Sequence, residues 1–321
     1  MREQRELKII GKGLLERRRN FDAACAAQGE NCALSAPIKS ALLCAELRFS
    51  AERCYLSKQP HLSATRRAAA LNWLAMVASE LQVDDETIYL AISYFDRFLE
   101  REMIGAGDQT LAAMAALLIA CKFNDAATVP MISELTFFDD DACAVHDLRT
   151  MEARMLQALH FNLCCTTPHQ LLNIYFNACS DAEALLLHGD GEDGPQGQQM
   201  HNTLLALSRF VLAVSMLDPS TACGAWLPSV LGASAILVAR AVKGCVPTWT
   251  PALEARTKLS EHTLRACGRR MVELFLPPGL HAAPALAVPE TTAYRKYKNS
   301  HLYSVALIAP EMWCAAASML A

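Results

Sequence analysis

From Thr65 onward the chain alternates between stretches in which apolar residues recur at helical spacing and short polar breaks. The spacing predicts helices over Arg66 to Leu81, Asp84 to Glu100, Asp108 to Phe123, Met131 to Thr136 and Asp141 to His160. Their limits are marked by turn and cap residues. Asp84-Asp85-Glu86 supplies an N-cap and first-turn carboxylates, Gly105 and Gly107 separate the second helix from the third, and Asp139-Asp140-Asp141 is expected to cap the fifth. A second series follows over Asn202 to Leu217, Leu227 to Lys243, Thr250 to Lys258 and Ser260 to Phe275. Ahead of both, Ile38, Leu42, Leu43 and Leu47 predict a short amphipathic helix that ends before Lys58-Gln59-Pro60.

Two helices have no polar face, Leu111 to Ala120 and Pro228 to Leu237. A helix of that kind must be surrounded, and small residues on all sides let its neighbours approach closely. The pattern therefore predicts an all-α chain of two tandem five-helix units, each a central helix wrapped by four, preceded by the short N-terminal helix. The expected divisions are an extension at 1–37, the N-terminal helix and first unit at 38–166, the second unit at 167–313, and a tail at 314–321. His188 to Gly197 is rich in Gly and acid, so a flexible loop is expected near 186–200.

Composition narrows the function. The 321 residues are 53% hydrophobic and suit two cores. The longest apolar runs fall short of the ~20 residues that cross a bilayer, so no membrane partner is expected. A net charge of −4 leaves no footprint for nucleic acid. The 13 cysteines follow a charged start with no apolar signal core, which predicts a reducing compartment and thiols used as small core residues. No Cys-x-x-Cys pair occurs, so neither a metal nor another cofactor is expected. Cys143 and His146 are the nearest thiol–imidazole pair, but helix packing accounts for both. Thr167-Pro168 and Thr250-Pro251 fit a proline-directed phosphorylation site and equally an ordinary helix start, and no role is assigned to them.

The informative residues are polar ones set in apolar helices. Arg67 precedes Leu71 and Leu74, and Asp96 lies four residues after Ile92, so each borders an apolar face. Lys122 closes the first central helix, where a cation suits the helix dipole. Glu152 stands one turn after Arg149, within pairing reach.

Taken in order, Lys58-Gln59-Pro60, Arg67 with Trp73, Tyr94-Phe95-Asp96-Arg97-Phe98-Leu99, Ala120 to Phe123, Trp226-Leu227-Pro228-Ser229-Val230 and Lys296-Tyr297-Lys298-Asn299-Ser300 resemble the mitotic cyclins, most closely the A type. The resemblance runs from about Ile38 to Pro310 and implies two cyclin folds. It implies that Arg67 and Asp96 form a structural ion pair. Lys122 and Glu152 would hydrogen-bond the backbone of a cyclin-dependent kinase, within an apolar surface of Ile119, Phe123, Leu156, Phe161 and Leu163 together with Ile38 and Leu42. It further implies a non-catalytic, activating kinase subunit in cell-cycle control, located in nucleus or cytoplasm, with protein substrates and inhibitors as further partners. The same fold serves transcription factors of the TFIIB type, a rival that the acidic balance and the A-type motifs disfavour. The family's Arg-x-Leu docking groove is expected to be degraded here: Trp73 remains, but Arg66, Ala69 and Ala70 replace larger apolar residues and Met76 replaces a Glu.

Overall fold

The computed structural model describes Glu46 and residues 55–124, 129–139, 143–177, 195–223, 226–277 and 287–321. Among them the regular structure is helical. In the first unit these are α1 (Ala64–Glu80), α2 (Asp85–Arg101), α3 (Asp108–Asn124), α4 (Ile132–Phe137) and α5 (Val145–Ala158), after a single 3-10 turn at Tyr55–Lys58. The second holds α6 (Pro168–Asn177), α7 (Pro195–Ser215), α8 (Pro219–Ala222), α9 (Pro228–Val242), α10 (Pro251–Thr257), α11 (Glu261–Glu273), α12 (Thr292–Tyr297) and α13 (Pro310–Leu320).

The starts of these helices follow capping chemistry. Ser63 accepts from Arg66 N ahead of α1, and Asp84 accepts from Glu86 N ahead of α2. Thr250 accepts from Leu253 N and Thr167 from Gln170 N, so both Thr-Pro pairs are helix starts. Gly107 takes φ +98°, backbone that a side chain would resist. The expected acidic cap of α5 is corrected: the helix begins at Val145, and Asp147 reaches back to the N–H of Ala144 at 3.0 Å. Of the expected trio, Asp140 and Asp141 lie outside the described residues.

Each unit is built round its apolar helix. Every residue of α3 from Ala112 to Cys121 is buried, and α3 packs against α1, α2 and α5 while the short α4 rests on α5. In the second unit α9 is buried from Ser229 to Val242 and is wrapped by α6, α7, α11 and α13. Gly232 explains the closeness of α6, since a Cβ there would stand 2.8 Å from the carbonyl oxygen of Pro168. Arg240, 1% exposed, ends this apolar helix by donating to the Thr248 and Pro247 carbonyls at 2.8 and 3.0 Å.

Two boundaries differ from expectation. Residues 195–200, assigned to the loop, are the first turns of α7; the acidic stretch before them lies outside the described residues, as do the 1–37 extension and Ile38 and Leu42. Residues 314–321, assigned to a tail, are mostly the second half of α13, whose Trp313 stacks on Phe275 at 4.1 Å and whose Leu320 is buried. Burial of that apolar face holds the helix on α9 and α11.

Candidate partner-binding face

The internal frame starts at Arg67, which is fully buried on α1. Its Nη2 meets Asp96 Oδ2 at 2.7 Å and its Nε meets Oδ1 at 2.9 Å, a two-pronged pair between α1 and α2. Tyr55 of the 3-10 turn donates its hydroxyl to the same Oδ1 at 2.5 Å. Nη1 of Arg67 donates to the carbonyls of Met216 and Leu217, at 3.0 and 3.1 Å, at the end of α7 in the other unit. Burial, the largest single influence, would lower the Arg67 pKa, but the Asp96 carboxylate together with Cys223 and Tyr55 outweighs it and holds the guanidinium well above its ordinary range. Burial and Asp96 together push the Tyr55 hydroxyl well above its own. Gln59 belongs to the same frame: its amide donates to the Leu99 and Glu102 carbonyls at 2.6 and 2.7 Å and so satisfies the end of α2.

On the outside of the first unit, Lys122 in the last turn of α3 donates to Glu152 Oε1 on α5 at 2.5 Å. The Lys122 side chain is 46% exposed and that of Glu152 15%. Glu152 therefore bonds across to α3 and forms an exposed end-to-end pair between two packed helices. Such a pair keeps spare donors on the ammonium and a spare carboxylate oxygen, the two complements of a peptide group.

The expected apolar surface is only partly present. Phe161, just beyond α5, is 41% exposed, while Phe123 and Leu156 are partly buried. Ile119 at 2% and Leu163 at 7% are core residues, a correction with two causes: Ile119 lies on α3, which is packed between α1, α2 and α5, and Leu163, beyond α5, is held inward where Tyr94 of α2 bonds its carbonyl. In the groove region Trp73 is partly buried and donates its indole N–H to the Phe138 carbonyl at 3.3 Å. Arg66 is exposed and bonds the His61 carbonyl at 2.9 Å; Ala69 is exposed, Met76 partly buried, and Ala70, at 3%, belongs to the core rather than to a surface groove. Burial and the Asp139 carboxylate push the Cys143 thiol up, the opposite of what a nucleophilic thiolate needs.

A contact that no sequence pattern predicts joins the start of the chain to the second unit. Helical Glu46, 3% exposed, accepts from Ser229 N at 2.8 Å and from Ser229 Oγ at 2.7 Å, at the first turn of α9. Its two oxygens occupy an N-terminus that Leu227 leaves without a side-chain cap. No local signal announces it, since 183 residues separate the partners.

Two helical units, each round a buried apolar helix and joined where Arg67 of the first donates to the Met216 and Leu217 carbonyls of the second, correspond to two family matches that together cover most of the chain. Residues 38–164 match the N-terminal cyclin domain and residues 166–311 the C-terminal cyclin domain. The chain belongs to the cyclin family. Its relatives include cyclin-A2 of Xenopus laevis, 28% identical over 83% of this chain and 57% of that protein. Cyclin-A2 of Homo sapiens is 30% identical over 80% and 53%, and cyclin-B2-1 of Oryza sativa subsp. japonica 26% over 76% and 51%. The chain thus spans about half the length of the curated relatives it matches. A viral cyclin from herpesvirus saimiri shares the fold, with a TM-score of 0.57 at 19% identity over 74% of this chain and 97% of that one.

Proposed function

We propose that this cyclin is the activating subunit of a cyclin-dependent protein kinase in cell-cycle control, without catalytic activity of its own and acting in nucleus or cytoplasm. The observation that carries the reading is the exposed Lys122–Glu152 pair, set at the end of α3 and on the helix that leads directly into outward-facing Phe161. A kinase becomes competent when its helix αC swings in to complete a Lys–Glu pair and its activation loop is ordered. A rigid helical face that binds only the inward αC shifts the kinase by its differential affinity for that state. Lys122 offers donors to a carbonyl and Glu152 an acceptor to an N–H, while apolar side chains such as Phe161 supply the buried area. Because the two charges already compensate each other, presenting them costs less desolvation than presenting either alone.

The test is a titration of the recombinant chain against a panel of cyclin-dependent kinases, reading affinity and activity together. Lys122→Ala and Glu152→Ala are each expected to weaken binding by roughly 10- to 100-fold, the scale of a hydrogen bond to a charged group, with helicity unchanged. A folded chain that engages no kinase would remove the proposal.

A further inference from the structure

After α5 the chain reverses through two consecutive residues in the left-handed region, His160 at φ 51° and Phe161 at φ 56°. Neither is glycine, so both hold a backbone conformation that their Cβ atoms disfavour, and such a turn persists only when its surroundings over-determine it. Upstream, the helix end supplies some of that hold: Phe161 N donates to the Leu156 carbonyl and Asn162 N to that of Leu159, both at 3.0 Å.

Downstream the hold comes from α2. The Tyr94 hydroxyl donates to the Leu163 carbonyl at 2.7 Å and Arg97 Nη2 to the Asn162 carbonyl at 2.8 Å. Tyr94 is 0% exposed and Arg97 3%, and their three-residue spacing sets both on one face of α2. Ser93 Oγ lies 3.3 Å from Cys165 Sγ, a further tie just beyond. Buried donors thus fix the backbone directly after Phe161, Leu163 is drawn into the core, and Phe161 is left facing outward at 41% exposure.

We infer that Tyr94 and Arg97 are positioning residues that hold the Phe161 turn in its partner-ready form, an inference that rests on the kinase-binding reading above. If the turn were free to relax, some of the binding energy would go into restoring it, and affinity would fall by the population of the competent form. Neither side chain is asked to touch the partner; each acts through Phe161.

A double-mutant cycle tests this with Tyr94→Phe, Arg97→Met and Phe161→Ala. Tyr94→Phe is expected to weaken kinase affinity by about tenfold, the effect of one buried hydrogen bond, when Phe161 is present, and to have little further effect in the Phe161→Ala chain. Equal losses in both backgrounds would overturn the inference, because they would mark a general loss of structure. Chymotrypsin cleavage after Phe161 in the free chain gives a second readout independent of any kinase. Faster cleavage in Tyr94→Phe and Arg97→Met, measured well below each variant's own melting temperature so that only local opening is sampled, supports the hold, and unchanged cleavage in both overturns it. Should the wild-type chain bind no kinase while cleavage still responds to Tyr94, the function proposed above fails and the positioning of the turn stands.

Discussion

Arg67 keeps a positive charge where no water reaches it, and the sequence showed why it could: it borders an apolar face, as does Asp96 on the next helix. The apolar pattern marked both positions, their pairing came from the family resemblance, and the rest of the cluster was not legible. Tyr55 precedes the helical series in a short 3-10 turn, and the Met216 and Leu217 carbonyls are backbone atoms some 150 residues away, which no side-chain pattern can announce. The cluster predicts asymmetric mutational costs. Removing one member leaves the other charged and buried, so Arg67→Met or Asp96→Ala should each lower stability by about 3–5 kcal/mol, while the apolar double variant Arg67→Met/Asp96→Leu should cost less than the sum. Urea unfolding midpoints decide it; single-variant losses below about 1 kcal/mol would show that the charges are better solvated than their burial implies.

Helices were the most legible level, because an apolar stripe and its caps lie within one stretch of sequence. The boundaries of α2 and α3 agree with the pattern within a residue, while α6 and α13 escaped it. Both owe their place to contact with α9; the sequence marked only the start of α6, at Thr167-Pro168, and tertiary burial decides the rest. The α6 contact predicts that Gly232→Ala is destabilising by about 1–3 kcal/mol. Although Ala favours helices, its methyl group would meet the Pro168 carbonyl oxygen at 2.8 Å and the Leu172 nitrogen at 3.0 Å, both backbone atoms that cannot step aside without moving α6. Chemical denaturation measures this; a stabilised Gly232→Ala chain would mean that α6 slides freely on α9.

The N-terminus of α9 gives a pH prediction at the same scale. Burial raises the Glu46 carboxyl from its ordinary 4.5, against the lowering effect of its two Ser229 hydrogen bonds. The folded chain therefore holds this proton more tightly than the unfolded one. The contribution of Glu46 is fully present below pH 4.5 and is lost as pH rises through its folded value. Glu46→Gln does not titrate, and its amide can still accept from Ser229 N while donating to Ser229 Oγ. The wild type should accordingly lose stability relative to Glu46→Gln as pH rises from about 4.5, read as the difference between two urea-unfolding series. Parallel curves across that window would show that Glu46 stays ionised at its ordinary value.

At the scale of the whole molecule, duplication was visible in the two apolar helices, but the seam between the units was not, because it is made by single residues drawn from distant segments. The returning C-terminal segment is the main case. Thr292 N donates to Asn72 Oδ1 at 2.7 Å and Thr292 Oγ1 to the Asn72 carbonyl at 3.2 Å, while Lys296 pairs with Asp85 at 2.6 Å, so α12 is fastened to α1 and to the start of α2. A second strut lies nearby: His169 of α6 stacks on Tyr89 at 5.0 Å and sets its Nδ1 3.0 Å from Glu86 Oε2. Arg67 crosses the same seam to α7. With three independent ties the units should unfold together, giving one transition whose calorimetric and van't Hoff enthalpies agree. Lys296 and Asp85 are both partly exposed, so their pair contributes little by itself, and the Asn72 contacts should matter more. Asn72→Ala with Lys296→Ala is expected to lower the melting temperature of the second unit more than that of the first, splitting the calorimetric peak. α12 loses its docking on α1, whereas the Arg67 cluster still holds the first unit's own helices in register. A single sharp peak in the double variant would place the cooperativity in the Arg67 and His169 contacts instead, and the same scan on His169→Ala would then be the variant that splits.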